Sequence, residues 1–412
     1  MTYQMCLHVH KPVRWPSDDL KRLTGVLMIM HSPYSRRKML SSVSLALCAL
    51  GLGLPFAAVA AVAEVKVGVI LPLTGDKATF GQESLNGLKL ALDKAGKDAP
   101  QVKLQVEDTQ GTPSGSAAAV NKLISTDKVN VIIGEVASSN TIAASTAAQS
   151  AKIPLMTHAS TNDTITLGKD FISRICFVDS FQGAVMAKFA GTTLKAKTAA
   201  ILVDSDSDYS RGLRDSFKKA FIAAGGTIKD DLIISYSQKD RDFKTQLIKV
   251  RKAAPDVVFI PGYYTQVGSI LRQAKELKLN TKFLGTDGWD SPDLFKIAGP
   301  AASAGHYVSS HFAADDTDPR VQEFVREYKA RNKENPGAMA ALGYDAGFFM
   351  RAAVKKAGSN EPAKIRDAIA GMKNFDGITG TITLDANRNA VKPAVIVQTT
   401  EKEFKFLTRV NP

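Results

Sequence analysis

From residue 65 the chain alternates two patterns. Short apolar runs are each followed by a stretch with apolar residues at helical spacing. VKVGVIL (65–71) predicts a buried strand closed by Pro72, and LNGLKLALDKA then puts Leu85, Leu88, Ala91, Leu92 and Ala95 on one helical face. VKLQVED (102–108), VNVIIGE (129–135) and IPLMTH (153–158) predict further strands, separated by the helices SGSAAAVNKLIS and TIAASTAAQSA. The rhythm restarts at TAAILVD (198–204). It continues through a helix striped by Leu213, Phe217, Ala220, Phe221 and Ala224, then TIKDDLIISY (227–236), FKTQLIKVRKA, DVVFIPG (256–262), a helix carrying Val267, Ile270, Leu271, Ala274 and Leu277, and KFLGTDG (282–288). From about 313 the pattern is mostly helical and closes on the strands GTITL, AVIVQTT and EFKFLTRV.

Strands alternating with helices of this length predict right-handed βαβ units and parallel sheets covered on both faces. Two such series predict an α/β fold of two Rossmann-like, doubly wound lobes. In such sheets ligands bind beyond the carboxyl ends of the strands, so the informative residues are those just after each strand.

The N-terminal 63 residues read differently. RRK (36–38) precedes the apolar LSSVSLALCALGLGLPFAAVAAVA, which ends in Ala61-Val62-Ala63, the parts of a secretory signal cleaved before Glu64. Residues 1–35 lie ahead of it, and Met30 or Met39 is the expected start. Leu47 before Cys48 is too large for a lipid-attachment site, and SRRKML only loosely matches a twin-arginine motif, so the general secretory route is expected. No second apolar run long enough to span a bilayer follows, which excludes a multi-span membrane protein.

Without residues 1–63 the chain keeps 46 basic and 38 acidic residues, a net charge of +8, with three His (158, 306, 311) and Cys176. One Cys makes no internal disulfide, and dispersed Lys and Arg argue against nucleic acid. No His or Cys pair has ligand spacing, so no metal is expected. D-S-D-S-D (204–208) starts like a calcium loop but has Tyr209 and Asp215 where Gly and Glu are needed. Neither G-x-G-x-x-G nor G-x-x-x-x-G-K-[ST] occurs, which leaves nucleotide cofactors without a phosphate cradle. Lacking a nucleophile–base pair, metal or cofactor loop, the chain is not read as an enzyme.

The loops after the strands carry the candidate chemistry. Phe80 offers an apolar wall, or plain core. Ser138, Ser139, Asn140 and Thr141 sit where a helix begins, as helix caps or as donors for a carboxylate, with Ser160 and Thr161 in the next loop. Tyr209, Tyr263, Tyr264, Asp287 and Trp289 follow strands of the second series. An acid and several aromatics opposite hydroxyl-rich loops suit a zwitterion with an apolar tail: ammonium at Asp287, carboxylate at Ser138 and Thr161, tail at Phe80 and the tyrosines.

VKVGVILPLTG, FG…NG, GEVASSNT, ASTN, DYSRG, PGYY and GTDGWDSPDL, in this order, resemble the periplasmic leucine/isoleucine/valine-binding protein family, receptors of ATP-driven amino-acid importers. The resemblance covers 64–412. It implies a type I periplasmic binding protein with lobes 64–180 plus 313–387 and 183–312 plus 388–412, joined by three crossings. It further implies a periplasmic monomer that closes on a small, branched-chain amino acid and docks on inner-membrane permease subunits, with no cofactor. By this resemblance Ser138 holds the carboxylate with Ser160 and Thr161, Tyr209 and Tyr263 are pocket tyrosines, Asp287 meets the ammonium, and Phe80 lines the tail pocket. Gln110 and Ala137 stand where some members have a disulfide, Asp287 is shorter than the usual Glu, and Trp289 adds bulk beside it. A ligand-sensing receptor of the same fold, for an aromatic acid or amide, stays open as the alternative.

Overall fold

A computed structural model describes residues 64–412 except 95, 97 and 98; the expected export signal lies outside the described residues. The first sheet contains β1 (Val65–Leu71), β2 (Val102–Asp108), β3 (Val131–Gly134), β4 (Leu155–Thr157) and β5 (Ile172–Arg174), in the order β2-β1-β3-β4-β5 and parallel throughout. Helices α1 (Ala78–Asp93), α2 (Pro113–Ser125) and α3 (Ser138–Ala151) make its crossovers. All of β1 except Lys66 is buried, as a parallel strand covered on both faces requires. Thr112 caps α2 through Gly115 N–H at 3.1 Å, with Pro113 in its first turn.

The chain then passes to a second sheet through α4 (Asp179–Thr192). Its strands are β6 (Ala199–Asp204), β7 (Ile233–Tyr236), β8 (Val257–Phe259), β9 (Lys282–Gly285) and β10 (Tyr307–Ser310). Between them run α5 (Asp208–Ala223), α6 (Lys244–Ala253), α7 (Tyr264–Glu276), α8 (Pro292–Ala298) and α9 (Pro300–Ser303). A second crossing leads to α10 (Pro319–Asn332), α11 (Ala338–Ala357) and α12 (Pro362–Ala370). There α11 packs on α1, and the small sheet of β11 (Phe375–Gly377), β12 (Gly380–Leu384) and β13 (Ala390–Val391) follows. A third crossing returns β14 (Ala394–Thr399) antiparallel to β10, and β15 (Phe404–Val410) pairs antiparallel with β14, giving the order β7-β6-β8-β9-β10-β14-β15.

The expected fold of two doubly wound lobes with three crossings is therefore present, and β6–β10 repeat the strand order of β1–β5. One expectation is corrected: of 227–236 only Ile233–Tyr236 is strand, and Asp230–Leu232 form a 3-10 turn. Lys229, Asp230 and Asp231 are too polar for a half-buried ladder position. Among the described residues no helix is long and apolar enough to cross a membrane.

Candidate functional site

The two sets of strand-end loops meet. Asp208 N–H donates to Ser139 Oγ at 3.0 Å, and Asn162 Nδ2 donates to the Asp208 carbonyl at 2.8 Å, so the start of α5 lies on the start of α3. Thr265 Oγ1 donates to the Asp76 carbonyl at 2.8 Å, and Thr79 reaches Asp293. The lobes are thus in contact around the cleft.

At one end Asp287 is almost fully buried. Its Oδ1 accepts from Tyr209 OH at 2.7 Å and Gln182 Nε2 at 2.8 Å, and its Oδ2 faces His311 Nε2 at 3.4 Å. Tyr209 OH also lies 2.6 Å from Thr286 Oγ1 and accepts from Gly288 N–H at 2.9 Å. A phenol has one proton, so it donates to the carboxylate while Thr286 donates to it. Burial, then the Asp287 charge, pushes the Tyr209 phenol well above its ordinary value. His311 is stacked on Phe177 with centroids 3.8 Å apart, and burial lowers its pKa, keeping the imidazole neutral.

The aromatic wall follows. Tyr263 stacks on Tyr209 at 5.1 Å, and Phe80 is edge-on to Tyr263 at 6.4 Å and to Tyr264 at 4.9 Å. At the hydroxyl end the first residue outside α3 is Ala137, which has no capping side chain, so Ser139 and Asn140 are not its caps. Its first N–H groups, with their positive end of the helix dipole, form an anion-binding arrangement. Ser138 Oγ accepts from Asn162 N–H at 3.2 Å, and Thr161 Oγ1 is buried without a hydrogen-bond partner. Ser160 Oγ, by contrast, is engaged by the Glu135 carbonyl at 2.9 Å and Thr141 Oγ1 at 2.5 Å.

Seven of the eight expected residues, Phe80, Ser138, Ser160, Thr161, Tyr209, Tyr263 and Asp287, thus lie on strand-end loops or in the first helical turns after them, in segments that converge. Trp289 differs: its indole N–H donates to the Ile260 carbonyl at 2.9 Å and its ring fills the space over Gly285, where a methyl group would come within 2.3 Å. It belongs to the second lobe's core. Sequence reasoning missed Gln182 and His311, which approach Asp287 from the first and second crossings, and Lys77, whose ammonium lies 4.9 Å over the Tyr263 ring. Gln182 stands in a helix outside the strand–loop rhythm that exposes the others, and His311 directly follows β10, a strand that the sequence pattern does not predict. Among the described residues no group of three or more His, Cys, Asp or Glu could hold a metal.

The model of the periplasmic binding protein family matches residues 64–403. The leucine-, isoleucine-, valine-, threonine-, and alanine-binding protein of Pseudomonas aeruginosa is 28% identical over 78% of this chain and 86% of its own. The leucine binding protein LivK of Thermotoga maritima is 36% identical and superposes with a TM-score of 0.81 over 84% of this chain and 99% of its own. A solute binding protein of an ABC transporter from Rhodopseudomonas palustris, solved with 3,4-dihydroxybenzoic acid, is 27% identical with a TM-score of 0.76, over 84% and 97%.

Proposed function

The chain belongs to the periplasmic binding protein family, and on that premise we propose that it is the exported receptor of an ABC importer, closing on a small amino acid and presenting it to the permease. The carboxylate sits at the open N-terminus of α3 with Ser138 and Thr161, the ammonium at Asp287, and a branched aliphatic tail against Phe80, Tyr209 and Tyr263. The observation that carries this reading is a buried acid on one lobe, bonded to Tyr209 of α5, with the start of α5 lying on the uncapped start of α3 in the other lobe. The lobes, 64–180 plus 313–387 and 183–312 plus 388–412, hinge at the three crossings. The signal ending at Ala63 is removed, and the mature chain is a monomer.

One observation favours a second ligand class. Asp287 already has three protein donors around it, which suits an acid without an ammonium, such as the aromatic acid bound by the Rhodopseudomonas relative.

A thermal-shift screen of ligand-free protein separates the two. Ligand at 100 times its Kd stabilises by about 2.7 kcal/mol, a shift of several degrees. Shifts with leucine, isoleucine or valine support the amino-acid receptor; shifts with hydroxybenzoates alone overturn it.

A further inference from the structure

We propose that Lys77 is a specificity determinant that selects ligands carrying a hydrogen-bond acceptor on the tail, so that threonine is preferred to valine and asparagine to leucine. The inference rests on the amino-acid reading above and changes one part of it, replacing the purely aliphatic tail with one that carries an oxygen acceptor.

Lys77 immediately precedes α1, and it is only 8% exposed. The segment around it is held against the second lobe on both sides: Asp76 accepts from Thr265 and pairs with Arg241 at 3.4 Å, and Thr79 reaches Asp293. That attachment carries the ammonium across the lobe boundary to Tyr263, the ring that stacks on Tyr209.

An ammonium has three N–H donors. Gln238 Oε1, at a long 3.4 Å, is its one hydrogen-bond acceptor among the described residues, and the Tyr263 face takes a second donor. Glu135, Asp204 and Asp76 act on the charge through space, but none is paired with it among the described residues. Glu135 is instead engaged by Thr109 Oγ1 at 2.6 Å and Ala137 N–H at 2.7 Å. A buried donor without an acceptor is unfavourable, and a purely aliphatic tail against this corner would leave it so. A hydroxyl, amide carbonyl or carboxylate oxygen would complete it. Sites built to bond a substrate oxygen discriminate strongly against the analogue that lacks it, whereas apolar pockets discriminate weakly.

The test uses near-isosteric pairs. The full chain is exported by host cells, recovered, freed of ligand by unfolding and refolding, and titrated calorimetrically with L-valine, L-threonine, L-leucine and L-asparagine. The wild type and Lys77→Arg are expected to bind threonine or asparagine about tenfold or more tightly than the apolar partner. In Lys77→Met that ratio falls to about threefold or less, or reverses; Lys77→Gln serves if the Met variant does not fold. A wild type that favours valine and leucine, with ratios unchanged within about twofold in Lys77→Met, overturns the proposal while leaving the amino-acid reading intact. If none of the four binds, the amino-acid reading falls, and benzoate against 4-hydroxybenzoate decides Lys77. A preference for the hydroxylated acid that Lys77→Met removes supports its role, and equal binding overturns it. If none of the six binds, both readings fall.

Discussion

The Tyr209 phenol donates to Asp287 Oδ1 at 2.7 Å, and this bond, with those to Thr286 and Gly288, joins the start of α5 to the loop after β9. Gln182, from the first crossing, reaches the same oxygen, and His311, from the second, faces the other. The acid proposed to meet the ligand ammonium is therefore also in contact with the segments about which the lobes hinge. On this proposal ligand charge at Asp287 and lobe closure would be coupled through those partners. Asp287→Ala is expected to reduce affinity for the bound amino acid by about 2–5 kcal/mol, or roughly 30- to several-thousand-fold. Titration calorimetry checks it, and a loss of tenfold or less would exclude Asp287 as the ammonium partner.

Thr161 and Ser160 are adjacent, equally buried hydroxyl residues, but only one is committed within the protein. Ser160 Oγ holds the Glu135 carbonyl and Thr141, whereas Thr161 Oγ1 makes no hydrogen bond of normal length and has the buried Asp179 carboxyl as its polar neighbour. Thr161→Val should thus weaken ligand binding about tenfold while leaving the melting temperature of the ligand-free protein nearly unchanged. Ser160→Ala should do the reverse, destabilising by about 1–3 kcal/mol. If the two variants lose affinity and stability in the same proportion, the division between ligand donor and structural bond is wrong.

How far the sequence could be read follows from the same physics. Strands β3, β6 and β8, and β1 apart from Lys66, are buried along their length, and helices such as α5 and α7 carry one apolar stripe, so period and length expose them. Helix α4 buries one face, Asp179, Gln182, Gly183, Met186 and Phe189, but that face is partly polar and Val185 and Ala187 beside it are buried too, so no apolar stripe marks it. Its residue Gln182 was consequently invisible as a partner of Asp287. Trp289 was misread because position after a strand does not give side-chain direction: the chain turns through a short 3-10 helix at Asp287–Trp289, and that turn sends the carboxylate to Tyr209 and the indole to Ile260. Lys77 could be read as a surface charge from sequence, and only the contact of its loop with the second lobe buries it.

The packing of α1 on α11 rests on two glycines. A methyl group at Gly87 would lie 1.9 Å from the Ala340 carbonyl oxygen, and one at Gly343 would lie 2.1 Å from that of Ser84. Gly87→Ala is expected to lower the melting temperature by several degrees, because overpacking by about 1–3 kcal/mol outweighs alanine's helix propensity of about 1 kcal/mol. Gly191, inside α4 with nothing within 4 Å of the added carbon, is the control. Alanine there should be neutral or stabilising, and equal destabilisation at both positions would contradict the close-packing argument.

Glu83 gives the fold a pH dependence of definite sign. It lies on α1, 4% exposed, with Oε2 lacking a hydrogen-bond partner. A carbon added to Gly337 would touch Glu83 Oε2 at 2.7 Å and Asp290 Oδ1 at 3.2 Å, so the two carboxyls flank one point. Burial first, then the charges of Asp290, Glu334 and Asp293, raises the Glu83 pKa well above its ordinary 4.5, and burial pushes Asp290 up to about 6 despite bonds from Ser310 and Ala338. A carboxyl whose folded pKa exceeds its unfolded value holds a proton that the unfolded chain releases. Its contribution to stability is complete below about pH 4.5 and is lost as pH rises through the folded value. Glu83→Gln cannot ionise, so its advantage over the wild type should be small at pH 5 and grow by pH 8. Urea unfolding of both proteins at the two pH values measures it; a difference that is the same at both, or larger at pH 5, would show that Glu83 is ionised in the folded protein.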